Sequence, residues 1–94
     1  MPDFTEISQN DLESILSEPN AVLLDVREIT EFEDFNIGGI NIPPHEITER
    51  LEELQNYKTI VVACSNGTRS YIIARLLAKK LPNSKILHLE EGIF

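Results

Sequence analysis

The chain has 94 residues, 41% hydrophobic and 26% charged, which is enough for one globular domain with a modest core and too few for two. Sixteen acidic against eight basic residues give a formal net charge of -8, which repels phosphate backbones and anionic lipid, so neither nucleic acid nor a membrane is expected as a partner. No apolar run reaches the roughly 18 residues of a membrane span, the start Met1-Pro2-Asp3-Phe4-Thr5-Glu6 lacks the charged and apolar regions of a secretory leader, and one cysteine excludes an internal disulfide framework, so the expected location is cytoplasmic.

In chain order, Phe4 to Ile7 reads as a first strand, and Ser8 is placed to cap a helix whose Leu12, Ile15 and Leu16 share one face until Pro19-Asn20 breaks it. Ala21 to Val26 is almost wholly apolar, as strands covered on both faces are, and is expected at the centre of a sheet. Glu28 to Phe35 suggests a short helix with Phe32 and Phe35 toward the core. Gly38-Gly39 marks a turn, Ile40 to Ile42 a brief strand and Pro43-Pro44 a stop. Ile47, Leu51 and Leu54 then recur on one face of a third helix. Lys58 to Ala63 is a second strongly apolar strand. Ser70 to Leu81 carries Ile72, Ile73, Leu76, Leu77 and Leu81 near helical spacing, and Ser84 to Leu89 is the last strand. Five strands alternating with four helices, joined by crossovers long enough for parallel pairing, predict an α/β fold with helices on both faces of a mostly parallel sheet. The acidic runs Glu28, Glu31, Glu33, Asp34 and Glu46, Glu49, Glu52, Glu53 read as solvated helix faces, with a docking face for a basic protein as the alternative.

Chemistry concentrates where the apolar strand stops at the only cysteine, in Cys64-Ser65-Asn66-Gly67-Thr68-Arg69-Ser70. Open parallel sheets bind ligands at the carboxyl ends of their strands, where this cysteine falls. Gly67 can take φ > 0 and curl backbone N–H groups around the thiol, the next helix points its positive end at the loop, and Arg69 adds a full charge. Together these should lower the thiol pKa from about 8.5 toward the range of about 3.5 to 7.5, leaving a thiolate at neutral pH. The alternative is a small buried hydrophobe ending a core strand. Ser65, Asn66 and Thr68 are expected to offer backbone N–H groups with their side chains in solvent. The Ser70 hydroxyl either caps the helix or bonds toward the sulfur, the cap being the favoured of the two. Tyr71 either rims the site or packs. His45 and His88 show no partner pattern, read as exposed, and with one cysteine give no metal-ligand spacing.

Four separated motifs stand in order along nearly the whole length: Leu23-Leu24-Asp25-Val26-Arg27-Glu28 with Glu31-Phe32, then Ile37-Gly38-Gly39-Ile40-Asn41-Ile42-Pro43, then the cysteine loop, then Leu89-Glu90-Glu91-Gly92-Ile93. Together they resemble those of the single-domain rhodaneses. The resemblance implies one domain over 1–94, a five-stranded parallel sheet in the order 1-5-4-2-3, and sulfur transfer through a persulfide on Cys64 without metal or organic cofactor. It implies supporting roles for Asp25, accepting hydrogen bonds from loop amides or from Arg69, and for Arg27 in an ion pair. Partners would be a small sulfur donor such as thiosulfate or a persulfide-carrying protein, and a thiophilic acceptor, with the protein a monomer. A non-catalytic interaction or sensor module is the alternative. Cysteine phosphatases of related fold use Cys-x5-Arg, whereas Cys64 and Arg69 are spaced Cys-x4-Arg, a tighter cradle suited to one sulfur atom. Many relatives carry a basic residue straight after the cysteine. This chain has Ser65 there, which weakens the steering of an anionic donor.

Overall fold

The computed structural model describes residues 4–94, so the leader reading of Met1, Pro2 and Asp3 lies outside it. Its elements are β1 (Thr5–Ile7), α1 (Gln9–Leu16), β2 (Ala21–Asp25), α2 (Ile29–Asp34), β3 (Ile40–Asn41), two 3-10 stretches (Pro44–Glu46 and Thr48–Glu53), β4 (Thr59–Ala63), α3 (Thr68–Lys80) and β5 (Lys85–Leu89). The five strands form one sheet in the order β1-β5-β4-β2-β3, and every pairing is parallel.

Side chains alternate across a strand with period two, and the apolar strands divide accordingly into two core layers. Val22, Leu24, Ile60, Val62 and Ile86 face Ile73, Ala74 and Leu77 of α3 together with Ile47 and Leu54 from the 3-10 region. Leu23, Val61, Ala63 and Leu87 face the other way, onto Leu12, Ile15 and Leu16 of α1. Helical segments thus cover both faces, and β4 and β2, buried along nearly their whole length, sit inside the sheet.

Three local expectations are corrected. The third helix is instead the pair of 3-10 stretches, because Arg50 takes φ -115°, ψ 19° and interrupts the helix, while Ile47 and Leu54 still reach full burial. Phe35 is 47% exposed rather than in the core, since α2 ends before it, and it stacks on Phe94 with ring centroids 5.4 Å apart. Finally, α3 starts at Thr68 and not Ser70: Asn66 Oδ1 accepts the Thr68 N–H at 3.1 Å, which satisfies the first helical amide two residues earlier.

Candidate active site

Cys64 follows β4 directly, with its side chain on the α3 face beside Ile60 and Val62. Its carbonyl accepts the Ile93 N–H at 2.9 Å, tying the cysteine loop to the turn after β5. Gly67, at φ 91°, and Gly92, at φ 82°, make that approach feasible. A Cβ on Gly67 would run into the Glu90 carbonyl, and one on Gly92 into the carbonyl of Ser65.

Three donors point at the sulfur. The Gly67 N–H lies 3.1 Å from Sγ, the Ser70 N–H 3.4 Å and the Ser70 hydroxyl 3.3 Å. Ser70 is the third residue of α3, so its amide has no partner within the helix and is free to face the thiol along the positive end of the helix dipole. Burial pushes the Cys64 thiol up; the Ser70 hydroxyl and the amides of Ser70, Asn66 and Gly67 pull it down, and the pull prevails, leaving it below its ordinary value. The collar is narrower than a run of amides from Ser65 to Arg69, because the Thr68 N–H goes to Asn66. Cys64 exposes 0% of its surface.

Ser70 does not cap its helix. Its hydroxyl bridges Cys64 Sγ and His88 Nε2, 2.7 Å away, and His88 Nδ1 meets Glu6 Oε1 at 2.5 Å. The reading of His88 as an exposed residue is therefore overturned: it is 2% exposed, in the middle of this chain of contacts. The strand register explains the assembly. Glu6 pairs with His88 across β1 and β5, and His88 pairs with Val62 across β5 and β4. Cys64 lies two residues beyond Val62, on the same face. That signal was latent in the sequence, since alternation puts residues 86 and 88 on one face and 60, 62 and 64 on the matching face of a neighbouring strand. The strand order alone does not expose it; the residue-by-residue register of β1, β5 and β4 does. His45, by contrast, is exposed next to Glu46.

Toward β2 the loop is held by charge. Arg69 forks onto Glu31, with contacts of 2.7 and 3.0 Å, and its Nη2 also donates to Ser65 Oγ at 3.2 Å. The guanidinium and the Glu28 N–H hold the Glu31 carboxyl down at about 2. The Ser65 side chain is thus partly withdrawn into the loop, while those of Asn66 and Thr68 are exposed as expected, with Asn66 also accepting the Thr68 N–H. Asp25 accepts neither from the loop amides nor from Arg69. It is fully buried against Arg27, whose backbone N–H, Nε and Nη2 reach its carboxylate at 2.8 to 3.1 Å, while Nη2 also donates to the Phe35 carbonyl at 2.6 Å. Asn41 Nδ2 closes this corner on the carbonyls of Asp25 and Arg27. Asp25 and Arg27 therefore brace the end of β2, and their side chains make no hydrogen bond to the cysteine.

On the β5 side a groove of about 470 Å³ opens beside the loop, lined by Glu6, Gly67, Tyr71, Ile72, His88 and Glu90 among others. Tyr71 both rims it and packs, its ring edge-on to Phe4 and His88. Among the described residues no group of three or more His, Cys, Asp or Glu side chains is arranged to hold a metal ion, and no helix is long and apolar enough to cross a membrane.

The family model of the rhodanese-like domain matches residues 8–94. The chain is 36% identical over 78 residues to YrkF of Bacillus subtilis (strain 168), provisionally named a sulfur carrier protein, covering 82% of this chain and 42% of that one. Among solved structures, the reduced Bacillus anthracis CoADR-RHD superposes with a TM-score of 0.83 at 33% identity, and an NAD-dependent persulfide reductase from A. fulgidus with 0.73 at 34%. These alignments cover 96% and 97% of this chain and 16% of each of the others. The chain therefore spans less than half the length of YrkF and a sixth of the two solved chains. A match over 8–94, with the parallel sheet and the cysteine loop at its carboxyl edge, establishes that the chain belongs to the rhodanese-like domain family.

Proposed function

We propose that this domain transfers sulfane sulfur through a persulfide on Cys64. The observation that carries the reading is the collar: two amides and one hydroxyl within 3.4 Å of a single sulfur at the end of a parallel strand. Donors so placed favour an anion at Sγ, and an anionic sulfur is what both halves of the reaction need. The Cys64 thiolate attacks the outer sulfur of a donor. The donor's S–S bond breaks, its electron pair leaves with the remainder (sulfite, from thiosulfate), and Cys64 carries S–S⁻. An acceptor thiolate then attacks the outer sulfur, and the pair of the breaking bond returns to Cys64. The names of YrkF and of the persulfide reductase support sulfur chemistry for this kind of domain.

Charge argues for the class of donor. The net charge is -8, and Arg69, the cation of the loop, is already forked onto Glu31. A small dianion gains little steering here, so a protein persulfide is the favoured donor over free thiosulfate. One observation favours a second reading, a binding module without catalysis: Cys64 has no exposed surface. Intact mass after incubation with thiosulfate, and separately with a persulfide-carrying protein, decides between them. A gain of one sulfur that a reductant removes and Cys64→Ser abolishes supports transfer. No adduct from either donor would leave the binding module.

A further inference from the structure

The sulfur-transfer reading uses the thiolate but does not say where its proton goes. Among the described residues, a chain of polar contacts leads from the sulfur toward solvent through Ser70, His88 and Glu6. We infer that these three side chains form a proton relay for Cys64, in which the thiol proton leaves through the Ser70 hydroxyl and is held on His88. While the thiol is protonated, Glu6 accepts the His88 Nδ1–H, Nε2 accepts from the Ser70 hydroxyl, and the Ser70 oxygen accepts the thiol S–H. Ionisation reverses the direction of the last two bonds. The S–H bond breaks and leaves its electrons on sulfur, Oγ takes that proton, and the proton already on Oγ passes to Nε2. The hydroxyl now donates to the thiolate and accepts from the imidazolium, while the Glu6 carboxylate balances the new charge. No oxidant or further reactant enters, and two protons have each moved one bond.

Burial and exposure are graded as such a relay requires. Cys64 and Ser70 are fully buried and His88 is 2% exposed, whereas the Glu6 side chain is 41% exposed and lines the open groove, where protons exchange with water. The charged and titratable groups around His88 are Glu6 from β1, Tyr71 from α3, Glu90 beyond β5 in the same groove, and Cys64 through Ser70. Ser70 touches the sulfur; His88 and Glu6 act through it as positioning residues. The inference deepens the sulfur-transfer reading, because the stored proton is available when the acceptor releases Cys64 as a leaving thiolate. The proton equilibrium itself needs no sulfur donor.

That independence sets the test. The thiolate of Cys64 is titrated by its ultraviolet absorbance, and the His88 imidazole by NMR. Coupling of two sites is reciprocal, so each group's replacement must move the other's midpoint equally. His88→Gln should raise the thiolate midpoint by about one pH unit, a roughly tenfold loss of thiolate below it, and Cys64→Ala should lower the imidazole midpoint by the same amount. Ser70→Ala should abolish the coupling, and Ser70→Thr, which keeps the hydroxyl, should restore it. If His88→Gln does not fold, Glu6→Gln, which keeps the side-chain length and removes the charge facing His88 Nδ1, together with the imidazole titration in Cys64→Ala, carries the same test. Midpoints in folded variants that ignore each other would overturn the relay. Coupled midpoints in a protein that takes up no sulfur would support it and remove the transferase reading alone.

Discussion

Arg69 and Ser70 are adjacent in sequence and hold opposite sides of the cysteine loop by different physics. Arg69 turns toward β2 and α2 and pairs with Glu31 at the surface, both side chains more than a third exposed. Ser70 turns toward β5 and β1 and enters a buried set of contacts with Cys64 and His88. An exposed ion pair is screened by water and contributes little to stability. A hydroxyl between buried groups cannot be replaced by solvent and is costly to lose. The residue with the charge therefore shapes the loop, and the neutral residue beside it governs the sulfur.

Substitutions grade this contrast. The largest stability loss belongs to the buried counterpart of the surface pair: Asp25→Ala strands the Arg27 guanidinium, 1% exposed, without its carboxylate. Breaking a buried pair from one side costs about 3–5 kcal/mol, which denaturant unfolding will read as a large drop in midpoint with the slope unchanged. Ser70→Ala comes next, at about 1–3 kcal/mol, because His88 Nε2 loses its partner. It should also raise the Cys64 thiol, since the hydroxyl is the strongest of the groups pulling it down. Glu31→Gln is the smallest, under about 1 kcal/mol, with the thiol titration nearly unmoved. Equal effects of Ser70→Ala and Glu31→Gln on that titration would erase the contrast.

The same contrast has a pH signature on each side. Glu31 titrates lower in the fold than in the unfolded chain, so the stability it contributes is complete above the ordinary carboxylate value of 4.5 and is lost as pH falls toward about 2. Cys64 is also lowered in the fold, from an ordinary 9.0, so its contribution is complete above 9.0 and fades as pH falls through its folded midpoint. Wild type should therefore gain stability over Cys64→Ala as pH rises toward 9.0, and over Glu31→Gln as pH rises from about 2 to 4.5. Unfolding curves at a series of pH values check both.

Much of the fold was legible in the sequence because local pattern and global arrangement agree. Val22 to Leu24 and Ile60 to Val62 read as buried strands and are buried on both faces. The spacing of Ile47, Leu51 and Leu54 correctly marked an apolar face, but apolar spacing does not distinguish an α-helix from 3-10 turns kinked at Arg50. The cysteine loop could be found because its parts are contiguous. His88 could not, because its partners lie 18 and 82 residues away and meet only through strand register. Arg69 reads in the sequence as a charge beside the loop and, from the resemblance, as a donor to Asp25; its fork instead meets the Glu31 carboxylate on α2, because Asp25 is already taken up by Arg27.

The central claim is that hydrogen bonds outweigh burial at Cys64 and hold its thiol below its ordinary value, which favours the thiolate that attacks. Titrating the Cys64 thiolate by its ultraviolet absorbance in the intact protein tests this most directly. The account predicts a single-cysteine midpoint below the ordinary 9.0. A midpoint at or above that value would mean that burial wins, and would contradict the account.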